Sequence, residues 1–170
     1  MSLYELSVPQ LKRMLTNLDR WLGLAIEYAE KKKFDPKVLL TSRLAPDQFP
    51  LYRQVQSVCD QAKFLPARLT GKEPPKHEDG EQGFEELRAR IKDVQSYLDT
   101  FQPADFQGAE TRLVKLGFMP GKAFRGLNYM SEFLLPNFYF HVTTAYAILR
   151  HNGVTLGKQD FLGAITLEDV

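Results

Sequence analysis

One histidine of this chain stands where a protein could use it. His141 lies in the run Leu134 to Val154, LLPNFYFHVTTAYAILRHNGV, and Asn137 precedes it by four residues. In a helix, side chains at i and i+4 share a face, so the two converge on one point. An imidazole at such a point can take or give a proton near neutral pH, or ligate a metal. A neutral amide beside it is a hydrogen-bond partner and a poor ligand for zinc or nickel. A buried imidazole with no partner costs roughly 1–3 kcal/mol, so His141 requires one. Two readings stand: a core histidine hydrogen-bonded to a neighbouring helix, and a ligand or proton-transfer group facing a pocket between helices.

The remaining reactive side chains read more simply. His77 falls in a polar, proline-rich stretch, Lys72 to Asp79, and reads as solvated. His151 sits in the last turn of its helix, where a partly positive imidazole suits the helix dipole. Cys59, the lone cysteine, reads as a small buried hydrophobe. Asp60 and Lys63 form an i,i+3 pair that projects, with Gln56, away from the apolar stripe of its helix and reads as surface. Phosphate-binding glycine loops, paired CxxC motifs and HExxH are all absent.

Four helices must position these groups. From about Ser7 to Lys33, Leu11, Met14, Leu15, Leu18, Leu22, Ala25, Ile26 and Ala29 recur at helical steps. Ser7 with Pro9 supplies a start signal, and Lys31, Lys32 and Lys33 suit the helix end. A second helix is predicted from Pro46-Asp47 to about Thr70, on Leu51, Val55, Val58, Ala62, Leu65 and Leu69. Gly71 stops it, and Pro66 predicts a kink. A third, half-exposed helix runs from about Glu81 to Phe101. Residues 111–118 alternate roughly and precede a Met119-Pro120-Gly121-Lys122 turn, which predicts a short hairpin or extended excursion. The fourth helix begins near Gly126-Leu127-Asn128, or only after Pro136, and stops at Asn152-Gly153.

The fold class is therefore all-α: one domain over 1–170, an antiparallel four-helix bundle with a short extended excursion between the third and fourth helices. Hydrophobic residues make up 44% of the 170, enough for a core. The net charge is +1, from 22 basic and 21 acidic residues, which gives no reason to expect nucleic acid or an anionic membrane as partner. No uncharged apolar stretch reaches about 18 residues, so no membrane span is expected. The N-terminus lacks the basic-then-apolar form of a signal peptide, and a cytoplasmic location is the expectation. The fourth helix is apolar nearly all round and crowded with Phe133, Phe138, Tyr139, Phe140 and Tyr146. Burial on several sides follows, and the surplus apolar faces argue for a homodimer.

Two runs, NFYFHVTTAYAILRHNGV and RLAPDQFPLYRQVQSVCDQAKFLPARLTG, resemble the last and second helices of the DinB/YfiT-like superfamily of four-helix bundles. More specifically they resemble a bacterial branch known only as a domain of unknown function. The resemblance implies a site of three histidines that bind nickel or zinc: one from the second helix, two from an HxxxH pair on the last. That last helix ends in a glycine about twelve residues after its second histidine. His141 and Gly153 are twelve apart, so His141 matches the second histidine and Asn137 stands in the place of the first. Counted from Gly71, the second-helix member falls near Gln56, with Asp60 one turn on as the alternative. Two of three imidazoles are thus replaced, which makes a nickel or zinc cofactor doubtful. The resemblance implies a small-molecule-binding or stress-related protein with a degenerate metal site, or a metal- or His-dependent thiol transferase or isomerase; the surplus apolar faces leave a third reading, a structural homodimer without a small-molecule site.

Overall fold

The structure is a computed structural model, and it describes residues 2–81 and 83–169. α1 (Leu3–Lys32) starts four residues before the predicted Ser7. Ser2 is the reason: its hydroxyl accepts from the Glu5 N–H while the Glu5 carboxylate accepts from the Ser2 N–H, a reciprocal cap. Pro9 then lies inside the helix rather than at its start. The loop after α1 holds a short helix, α2 (Lys37–Thr41), which buries Leu39 and Leu40 against the bundle.

α3 (Leu51–Thr70) runs through Pro66 as one helix and ends at Gly71, whose φ of 82° is the left-handed turn that glycine permits. α4 (Phe84–Leu98) is shorter than the predicted 81–101. A single 3₁₀ turn, Pro103–Phe106, leads to the excursion, where β1 (Leu113–Lys115) pairs antiparallel with β2 (Ala123–Arg125).

The last long helix has both predicted starts. α5 (Gly126–Asn128) opens it, a widened π segment over Tyr129–Leu134 carries it on, and α6 (Leu135–His151) follows with Pro136 in its first turn. Leu135 N–H reaches back five residues to the Met130 carbonyl. Pro136 has no N–H to give, and the wide turn ahead of it lets the chain stay helical without a break. α7 (Lys158–Leu162) returns the chain onto α1.

Trp21, Leu22, Val55, Val58, Ile91, Val94, Phe138, Val142 and Ile148 fill the space between α1, α3, α4 and α6. α3 packs on α6 along one side and on α4 along the other, so polar residues of α3 can lead to two different places. α6 is not buried on several sides: Phe138, Val142, Ala145, Ile148 and Leu149 are inside, whereas Phe140 is 56% exposed and Thr143 and Arg150 face outward. No described helix is long and apolar enough to cross a membrane.

Candidate functional site

His141 finds its partner on α3, and the partner is Gln54. Leu51, Gln54 and Val58 recur at steps of three and four, so Gln54 lies on the stripe that α3 turns toward the core and is buried. Its amide Nε2 donates to the Phe49 carbonyl at 2.9 Å, just before the helix begins. That leaves Oε1 to face His141 Nδ1 at 2.7 Å. An amide oxygen can only accept, so Nδ1 must carry the proton. Burial holds the His141 pKa below its ordinary value of 6.5, which keeps the ring neutral at pH 7. The lone pair therefore sits on Nε2. Nε2 has no hydrogen bond to a described residue and is not sealed in the core, so it opens to solvent. The Phe140 ring meets the imidazole edge-on at 5.2 Å. Asn137, half-buried one turn earlier, shares the face and has no hydrogen bond to a described residue.

Gln56 goes elsewhere. Two residues on a helix is about 200° of rotation, so Gln56 emerges on the α4 side. There Arg53 donates to its oxygen at 2.8 Å, and its nitrogen donates to Glu81 at 2.7 Å. Asp60 belongs to the same side. Arg90 of α4 donates to Asp60 at 2.8 Å and to Asp79 and Glu81 at 2.9 Å each, with a side chain 2% exposed. Lys63, 4% exposed, pairs with Asp60 at 2.9 Å and donates to His77 Nδ1 at 3.0 Å. Since an ammonium can only donate, His77 carries its proton on Nε2, which meets Asp93 at 2.7 Å. Burial alone would raise the Asp79 and Glu81 carboxyls, but hydrogen bonds from Arg53 and Arg90 hold Asp79, and those from Arg90, a backbone N–H and Gln56 hold Glu81, below their ordinary range. Cys59 lies under this cluster, fully buried, and burial pushes its thiol up to about 12.

The surface reading of Gln56, Asp60 and Lys63 is therefore corrected, as is the solvated reading of His77. Residues 72–81, after α3, fold back over this face, and Asp79, Glu81 and His77 supply the partners. The site expected from Gln56, Asn137 and His141 does not assemble. Asn137 and His141 share a face, but Gln56 and its alternative Asp60 are committed to the α4 side. Gln54 takes the position that Gln56 was expected to hold.

The donor set at His141 does not fit a nickel or zinc ion. It offers one imidazole nitrogen and the Asn137 amide, while the Gln54 oxygen is spent on His141 itself. Among the described residues no group of three His, Cys, Asp or Glu side chains could hold a metal. What the arrangement does offer is a neutral, oriented imidazole with one open nitrogen: a hydrogen-bond acceptor or a general base.

The family model of a domain of unknown function, DUF1993, matches residues 3–162. A crystal structure of a DinB family member protein from Shewanella denitrificans is similar over 99% of this chain and 96% of that one, with 49% identity and a TM-score of 0.96. No curated protein matches the chain.

Proposed function

The chain belongs to the DUF1993 family, in a DinB-like bundle, and we propose that it binds a small molecule through the single imidazole of His141 rather than through a resident metal. One observation carries this reading. Gln54 ties the Phe49 carbonyl to His141 Nδ1, so it fixes both the tautomer and the aim of the ring and leaves Nε2 free. A ligand that presents an N–H or O–H to that nitrogen meets an acceptor already in place. Metal analysis tests the reading, on protein purified without chelators or a nickel column. Less than about a tenth of an equivalent of any transition metal is the expected result. A full equivalent of nickel or zinc, lost in His141→Ala, overturns it.

A second reading, an enzyme of the thiol-transferase kind, is favoured by the same lowered pKa. A ring neutral at pH 7 with an open nitrogen suits a general base that draws the proton from a thiol. Its test is turnover of low-molecular-weight thiols with a chromogenic electrophile. A rate that His141→Gln leaves unchanged removes this reading and leaves the binding one intact.

A further inference from the structure

A second site lies on α1, away from His141. Arg13, Asn17 and Arg20 recur at steps of four and three and line a cleft of about 620 Å³. Gln159 and Gly163, from α7 and the residue after it, form the opposite wall. That wall is firmly docked. Trp21 Nε1 donates to the Asp160 carbonyl at 3.2 Å, and the Phe161 ring stacks on Trp21 with centroids 5.7 Å apart. Cleft volumes of about 300–1,000 Å³ are those of small-molecule sites.

Three polar groups on the α1 wall of the cleft are left with capacity. Arg13 has no hydrogen bond or ion pair with a described residue. Arg20 makes one contact, to Asp160 at 3.1 Å, and the other Asp160 oxygen is taken by the Gly157 N–H. Among the described residues the cleft's two guanidinium groups thus have one carboxylate contact between them, and positive charge is in excess. Asn17 is the third. It is only 7% exposed, and its Nδ2 is spent on the Phe161 carbonyl at 2.8 Å. Its Oδ1 accepts from no described residue and is not sealed, so it opens on the cleft. Gly163 keeps it so: at φ 66° the chain turns across the Asn17 amide, and a Cβ there would overlap that side chain.

Guanidinium forks pair with carboxylate and phosphate oxygens, while a buried amide carbonyl needs a donor. We infer that this cleft binds a small oxyanion, phosphate or carboxylate, that also carries a hydroxyl. The arginines, about 10 Å apart along the helix, take the anionic end, and Asn17 Oδ1 accepts from the hydroxyl.

The test is a titration of the full chain, followed by backbone amide shifts, with inorganic phosphate, glycerol 3-phosphate and glycerate. Saturable shifts at Asn17 and Gly163 are expected. The organic anion with the preferred head group should bind several-fold more tightly than inorganic phosphate, and the tighter of the two identifies that head group. Arg13→Gln and Arg20→Gln should each weaken binding about tenfold, the loss of one charge-assisted contact. Lys122→Gln, on the distant hairpin, should leave affinity within about twofold. No saturable shift up to about 20 mM, an Arg13→Gln variant that binds like the parent, or an equal loss in Lys122→Gln overturns the site. Equal affinity for inorganic phosphate and both organic anions overturns the role of Asn17.

Discussion

Gln54 and Gln56 stand two residues apart on α3, and each spends both ends of its amide. Gln54 ends at a half-open imidazole on the α6 side. Gln56 ends in the cluster of Arg53, Glu81 and Arg90 on the α4 side. The α6 side has no charged group in its hydrogen bonds and leaves one nitrogen open. The α4 side joins three segments of the chain by charge and leaves little room for a ligand. Polar residues inside a bundle are thus of two kinds, and the difference lies in what their last partner has left over. Glu81, Asp79 and Asp60 are all paired, so the α4 cluster holds structure together. His141 Nε2 is unpaired among the described residues, so the α6 side can hold something else.

The strongest way to break this contrast is Arg90→Ala. It removes the shared partner of Asp60, Asp79 and Glu81; Lys63 and Arg53 still pair Asp60 and Asp79, but Glu81, 10% exposed, loses its cation among the described residues. Breaking a buried pair from one side costs about 3–5 kcal/mol, and the partial exposure of Asp60 and Asp79 places this case at the lower end. Urea unfolding should show that loss, and the chain between α3 and α4 should become open to proteolysis. A loss under about 1 kcal/mol would mean that the cluster does not hold the linker. Gln54→Ala is the matched change on the other side. It strands the Phe49 carbonyl and frees Nδ1, at a cost of about 1 kcal/mol. Nitrogen shifts of the His141 ring should then show a mixture of tautomers where the parent shows the Nδ1–H form. An unchanged tautomer would remove Gln54 from the site.

Those partners explain what could and could not be read from the residues alone. The core stripes of α1 and α3 repeat at helical steps, so the bundle is legible in Leu11, Leu15, Leu18 and in Leu51, Val55, Val58. His141 is legible too, as a polar residue in an apolar run. Gln54 carried a signal, since it lies between Leu51 and Val58 on the stripe. A count back from Gly71 cannot resolve it from Gln56, because the two differ by less than a turn. The α4 cluster was not legible. Lys63 and Gln56 lie off the stripe, where solvent is the default, and their burial depends on the chain from Lys72 to Glu81 folding back over them. The start of α1 is legible in the capping-box spacing of Ser2 and Glu5, against which Ser7 with Pro9 is a competing signal further on.

Acid separates the two sides without mutating either. The folded pKa of His141 is depressed below 6.5 by burial, so the unfolded chain binds its proton first as pH falls. Stability from this group is whole above about pH 6.5 and declines as pH drops toward the folded value. Asp79 and Glu81 are held below 3.8 and 4.5, so what they contribute is lost only as pH falls through those lower values. Between about pH 7 and 5, His141→Gln should therefore lose less stability than the parent, while the loss the parent shows below about pH 4.5 should be weaker in Arg90→Ala. Parallel curves for parent and His141→Gln would mean that the ring is not desolvated in the fold.

The smallest effect on stability should come from Phe140, and it bears on what covers the open side. The ring is 56% exposed beside His141, so Phe140→Ser should change unfolding free energy by less than about 0.5 kcal/mol. If two chains pair through this face, the same change should turn a sedimentation mass near twice 19.5 kDa into one near 19.5 kDa. A dimer that survives the substitution must be built elsewhere. A monomer in both leaves Phe140 as an apolar wall beside His141 Nε2, where a ligand rather than a second chain would cover it. In that case Phe140→Ser should weaken binding at His141 while leaving stability unmoved. That pairing of results is not expected of any change in the α4 cluster, where loss of a partner is felt first by the fold.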